Sequence, residues 1–130
     1  MIKIIIPGAP VTKKNSQRIL KNFKTGKPFI APSEAYERYE QAAGAHLYPK
    51  PQYPLDGAYG AFNLRCLYYM PTHRRVDLAN LLEATTDVLV KHRILADDNS
   101  NIVGGHDGSR VLYDKSHPRV EIEITEMRDG

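Results

Sequence analysis

RRVDLANLLEATTDVLVKHRILADDN, from Arg74 to Asn99, is the stretch on which the fold turns. Leu78, Leu81, Leu82, Thr85, Val88 and Leu89 recur at steps of three and four. Asp77 to Val90 therefore reads as an amphipathic helix with one apolar stripe. Asp77, Asn80, Ala84 and Asp87 fall on a different face, with Glu83 beside it. Lys91 to Asn101 is turn-rich, and Ile94-Leu95 is expected to anchor it to the core. The helix thus starts at one acidic point, Asp77, and delivers a second, Asp97-Asp98-Asn99, just past its end. Arg74 and Arg75 stand directly before it. Carboxylates beside guanidiniums can hold a divalent metal against a phosphate. Two plainer readings stay open: Asp is a favoured helix N-cap, and Asp-Asp-Asn is ordinary turn chemistry.

Upstream, Ala58 to Met70 reads as a long strand. Phe62, Leu64, Cys66, Tyr68 and Met70 share one face, with Asn63 and Arg65 on the other. Cys66 is then a small core residue. Pro71 and Thr72 stop the strand, and the chain passes His73 on its way to the helix. Junctions of this kind expose backbone and side chains to ligands. Downstream, Ile102-Val103 starts a strand, Asp107-Gly108 suggests a hairpin turn, and Arg110 to Tyr113 is its expected return. Arg119 to Glu126 alternates cleanly, with Val120, Ile122 and Ile124 pointing in.

The N-terminal part supplies the remaining elements. Met1 to Ile6 suits a buried strand, because its isoleucines are β-branched. Pro32 to Leu47 reads as a helix with Ser33 as cap and Glu34 and Glu37 in its first turn. Tyr36 and Tyr39 on its packing face are expected in the core or at its rim. Tyr48 to Gly57 is a breaker cluster rather than a domain boundary. Val11 to Phe29 reads as a long basic loop, either a solvated one or an arm that replaces counterions on a nucleic-acid backbone. The expected fold class is α+β: a single domain over residues 1–130, with a mixed sheet, two main helices packed on it and a β-α-β-α-β-β order.

Composition bounds the partners. The chain of 130 residues suits one core. Its net charge of +3 and pI near 9.0 are weak pointers alone. Distribution says more: Thr12 to Lys27 carries Lys13, Lys14, Arg18, Lys21, Lys24 and Lys27 and no acidic residue. One cysteine excludes a disulfide framework or zinc cluster within the chain and fits a reducing compartment. No apolar run approaches the length of a membrane span, so a cytoplasmic protein with no membrane partner is expected.

Arg75-Val76-Asp77-Leu78-Ala79-Asn80-Leu81, followed by Ile94-Leu95-Ala96-Asp97-Asp98, resembles the RusA family of Holliday junction resolvases. That family looks like R-x-D-L-D-N-L, then a helix, then a V-[I/L]-x-D-D turn. The early Lys13-Lys14-Asn15 and the terminal Ile124-Thr125-Glu126-Met127 also match it. The resemblance covers nearly the whole chain. It implies a homodimer that binds four-way DNA junctions and makes paired symmetric nicks with Mg²⁺, with Mn²⁺ as a possible substitute. Asp77 and Asp98 match the family's catalytic carboxylates. Lys13, Lys14, Asn15, Arg18, Arg74 and Arg75 become expected DNA contacts.

Two positions depart from the pattern. The family's second aspartate is Ala79 here, and the basic residue usual on the next turn is Glu83. On a helix, positions 79 and 83 lie about 40° apart and one turn up. Glu83 is therefore expected to reach back as a replacement catalytic and metal ligand, with Asp97 supporting Asp98. A branched-DNA binder without cleavage stays open beside this reading. So does a small regulatory protein with a basic loop.

Overall fold

The computed structural model describes residues 1–14 and 17–127. The centre of the main sheet is β4 (Phe62–Met70), flanked by β7 (Arg119–Glu126). They pair antiparallel over Phe62↔Glu126 to Tyr69↔Arg119. The N-terminal strand β1 (Ile2–Pro7) adds antiparallel to the far side of β7. On the other edge of β4 run β5 (Val103–Gly105) and β6 (Arg110–Tyr113), both parallel to it. The sheet is mixed and α+β, as expected.

One face of the sheet is apolar. Ile4 and Ile6, Val120, Ile122 and Ile124, and Leu64, Cys66 and Tyr68 are all buried. Period-two alternation puts the members of each strand's set on the same side. The opposite face carries charged cross-strand neighbours: Lys3 and Arg65 both reach Glu123, at 3.3 and 3.1 Å. A sheet with one packed and one solvated face reads in this alternating way. Burial pushes the Cys66 thiol up to about 12, so it stays protonated and inert.

Helices α1 (Glu34–Ala43) and α2 (Leu78–Lys91) bring their buried residues into the same core cluster as this apolar face. The Ser33 hydroxyl accepts from Tyr36 N at 3.1 Å and caps α1 as its sequence demands. Leu81, Thr85, Val88 and Leu89 are buried as the stripe required, and the three aliphatic side chains among them contribute roughly 1.5–3 kcal/mol each. Ala84 and Thr86 are buried too, which the stripe did not anticipate. The cause at Ala84 is α1: Tyr36 is buried there, and its hydroxyl donates to the Ala84 carbonyl at 3.4 Å.

Two segments differ from their sequence reading. Val11 to Phe29 is not all loop. It holds β2 (Arg18–Lys21), which pairs antiparallel with β3 (Pro28–Ala31) in a separate two-stranded ribbon. The strand and helix order is therefore β-β-β-α-β-α-β-β-β, and the shorter expected order missed the ribbon. Asp107-Gly108 is a turn, but not the turn of a hairpin. The chain bulges from the β4 edge over residues 106–109 and rejoins it in the same direction. Side chains replace the missing ladder there: His106 Nδ1 bonds the Leu64 carbonyl at 3.0 Å, and Cys66 N donates to Ser109 Oγ at 3.0 Å.

The end of α2 is closed by a Schellman motif. Ile94 N donates to the Leu89 carbonyl at 2.9 Å and Arg93 N to the Val90 carbonyl at 3.1 Å. Ile94 and Leu95 are then buried, as expected, and fix where the acidic turn begins. Arg93 sits at the left-handed position with φ 63°, where glycine is the favoured residue. Arg93→Gly should relieve about 0.5–1 kcal/mol and raise Tm by roughly 2–5 °C, read by thermal unfolding at fixed pH.

Candidate active site

Both ends of α2 meet solvent, and the acidic residues collect on its open side. Asp77 is the N-cap: its Oδ1 accepts from Ala79 N at 2.9 Å. The capping role is therefore present, and one carboxylate oxygen is left over. Past the Schellman turn, Asp97 organises the loop. Its carboxylate accepts from Asp98 N at 2.8 Å and from Asn99 Nδ2 at 3.2 Å. Those bonds, the Asp98 amide first, hold the Asp97 carboxyl below the usual range. Asp97 spends both oxygens on shaping the turn, while among the described residues Asp98 has no side-chain partner.

A shallow cavity of about 270 Å³ opens beside α2. Ala79, Glu83, Thr86, Asp98 and His106 line it. Glu83 and Asp98, far apart in sequence, share this one depression, and the small Ala79 leaves room between them and the helix start. Asp77 does not line it. Among the described residues no three acidic, histidine or cysteine side chains converge as a metal cage. The four-carboxylate set of Asp77, Glu83, Asp97 and Asp98 is thus not gathered: Asp77 caps, Asp97 shapes, and Glu83 and Asp98 remain. Two carboxylates completed by water and substrate phosphate are the usual holding of Mg²⁺. The hard oxygen donors present fit such a centre and not a larger cage.

His106 is the residue that sequence reasoning passed over. A carbonyl only accepts, so Nδ1 must carry the proton in its bond to Leu64 O. Nε2 has no protein partner among the described residues, and the side chain lines the depression. An isolated histidine after Gly104-Gly105 gave no motif to find. The signal lies in the bulge, which only the fold displays.

The expected cationic residues divide into three groups. Arg74 and Arg75 are exposed and line a groove of about 530 Å³ with Pro10, Thr12, Pro71 and Val76. Neither guanidinium is tied to a carboxylate among the described residues. Lys13 and Lys14 lie against α2 instead. Lys13 Nζ meets Asp87 at 2.8 Å, and Lys14 Nζ meets Glu83 at 3.2 Å. The Asp87 carboxylate holds the Lys13 ammonium above its ordinary pKa. Lys14 and Glu83 are both about half exposed, so their pair is worth at most about 1 kcal/mol and opens readily. Arg18 is differently placed: it donates to the Pro32 carbonyl and bridges Glu34 and Glu37, anchoring the ribbon to α1. That engagement gives Arg18 a structural role at the base of the ribbon. Asn15 lies outside the described residues.

Groove and depression flank the start of α2, since Val76 lines the first and Ala79 the second. A sequence model of one protein family, described as endodeoxyribonuclease RusA, matches residues 7–125. No curated protein matches the chain. If Asp77 is a cap whose charge also serves the site, its two roles separate by substitution. Asp77→Asn should keep stability within about 0.5 kcal/mol, because Asn caps as well, and Asp77→Ala should lose about 1 kcal/mol. Urea midpoints of the two variants check this.

Proposed function

The chain belongs to the RusA family of endodeoxyribonucleases, and from that premise we propose that it resolves four-way DNA junctions by paired symmetric nicks. The observation that carries the reading is the shared depression of Glu83 and Asp98 beside a groove lined by two exposed guanidiniums, Arg74 and Arg75. Arg74 and Arg75 seat a backbone phosphate by charge-assisted, bidentate contacts. Glu83 and Asp98 are the residues that would hold a divalent cation, Mg²⁺ or Mn²⁺, in the depression they share. Such an ion supplies Lewis-acid stabilisation of the phosphate oxygens and an acidified water. His106, its ring oriented by the Leu64 carbonyl at Nδ1, turns Nε2 toward the depression as the group that would take a proton from water there. Asp77 places its remaining carboxylate oxygen at the mouth of α2. Two symmetric cuts on one junction ask for two copies, so a homodimer is part of the proposal.

A second reading of Glu83 rests on its ion pair with Lys14. There Glu83 steers a phosphate-binding ammonium instead of holding metal. The two readings differ in sign. If Glu83 is a ligand, Glu83→Gln raises the Mg²⁺ concentration for half-maximal cleavage at least tenfold. Lys14→Gln then lowers it, because a competing cation is gone. If Glu83 only steers Lys14, neither variant moves the Mg²⁺ requirement, and both weaken junction binding.

The decisive experiment is cleavage of a synthetic four-way junction against matched duplex, with Mg²⁺ or EDTA. Wild type should cut the junction only with Mg²⁺, and Asp98→Asn should cost at least 100-fold in rate while leaving binding in EDTA unchanged. Tight junction binding with no cleavage at any metal concentration makes the protein a binder instead. Equal binding to junction and duplex sinks the reading altogether.

A further inference from the structure

The β2–β3 ribbon is the part of the molecule that the nuclease centre does not use. Its two faces are both apolar and both open. Ile19 and Ile30 pair across the ribbon and are 78% and 69% exposed, while Leu20 pairs with Phe29. Phe23 at the tip is fully exposed. Leu20, Phe23 and Phe29, with Lys21 and Asn22, line an open cup of about 420 Å³.

The tip is ordered although it packs on nothing. Asn22 N donates to the Lys27 carbonyl at 2.9 Å, and Gly26 N donates to the Asn22 carbonyl at 2.7 Å. The Asn22 side chain accepts from Lys24 N and Thr25 N at 2.9 and 3.3 Å. Gly26 takes φ 72°, which closes the turn without strain. At its base the ribbon is pinned to α1 through Arg18. These bonds set the backbone of the turn before any ligand arrives, so presenting the Phe23 ring asks for no further folding of the tip.

Charge says what it meets. The first acidic residue of the chain is Glu34, so Lys21, Lys24 and Lys27 have none nearby in sequence. A second copy laying its own ribbon here would bring two sets of these lysines into one interface, with no acidic residue of either ribbon to offset them. A polyanion with apolar faces between its charges suits lysines and aromatics together, and single-stranded or unstacked nucleic acid is that ligand. Intact duplex offers the charges but hides the faces of its bases.

We propose that the ribbon tip takes one unstacked nucleobase at the branch point of the DNA, with Phe23 stacking on it and Lys21, Lys24 and Lys27 on the flanking phosphates. The proposal rests on the junction-binding reading above and deepens it: the centre beside α2 contacts phosphate, and the ribbon recognises the branch. Phe23 acts here as an apolar wedge of the kind that partly unstacks a base step.

The chain contains no tryptophan, so Phe23→Trp places a single indole at the tip. The test uses the full chain in EDTA, a four-way junction with 2-aminopurine beside the crossover, and matched duplex. Wild type should brighten the 2-aminopurine on binding. Phe23→Trp should do the same, and its own emission should be quenched. Phe23→Ala should lose roughly 5- to 100-fold in junction affinity, the size of one base–aromatic stack, and lose the brightening. Its duplex affinity and thermal midpoint should stay within about twofold and 1 °C of wild type, because Phe23 contributes no buried surface. If Phe23→Ala matches wild type on the junction, the ribbon proposal falls and the nuclease reading stands. A change in sedimentation mass for Phe23→Ala overturns it in favour of a contact between copies. If wild type shows no junction preference at all, both readings fall together.

Discussion

The hydrogen bond between Tyr68 and Thr85, 2.7 Å between hydroxyls, sets where α2 sits on β4. Both groups are buried, so neither can turn to water if the other moves away. A slide of α2 by one turn would leave two hydroxyls unpaired and expose part of the stripe around Leu81 and Val88. The helix is therefore locked along its axis as well as in rotation. Everything functional hangs on that lock. Asp77 stands at its start, Glu83 and Asp87 on its open side, and the Schellman turn at Arg93 and Ile94 directs the chain back into the core before the Asp97-Asp98 loop. Burial of Ile94 and Leu95 brings Asp98 to the same depression as Glu83.

Against this rigid frame the charged groups are loosely held, and that contrast suits a site that receives a polyanion. The sheet's outer face carries its own closed set, with Lys3, Arg65 and Glu123 paired. The acidic side of α2 is covered by Lys13 and Lys14. Exposed pairs of this kind contribute little to stability, so their partners can be exchanged at small cost. Lys13 and Lys14 can therefore leave Asp87 and Glu83 for an arriving polyanion without any rearrangement of the core.

The sequence was most legible where structure is decided within a few residues. The alternation in Arg119–Glu126 and the stripe in α2 appear where they were expected, because one buried face imposes a period on its own element. Ser33 and Asp77 announced their helices by cap chemistry. The β2–β3 ribbon was hidden because it buries neither face, so Ile19-Leu20 and Phe29-Ile30 show no alternation against a core. Asp107-Gly108 misled for a related reason. A turn residue reports a local bend, and only contacts to Asn63, Leu64 and Cys66 on β4 decide that the chain resumes its old direction. The same distant contacts put His106 into the depression, and Tyr36 buried Ala84 from another helix. The candidate site was legible as a list of carboxylates, but not as an arrangement: which oxygens are already spent, on Ala79 N, Asp98 N and Asn99, depends on the fold.

The departures at positions 79 and 83 take on a different meaning once Lys14 is placed. The pattern that the chain resembles has carboxylates at 77, 79 and 98 and a basic residue at 83. Here the carboxylates are Asp77, Glu83 and Asp98, and the ammonium that meets Glu83 belongs to Lys14. An acid thus stands one turn along α2 from position 79, and the cation that meets it comes from a loop that lies over the helix. What does change is mobility. A cation on a helix is held by that helix, whereas Lys14 is held at the site by an ion pair that the arriving ligands contest.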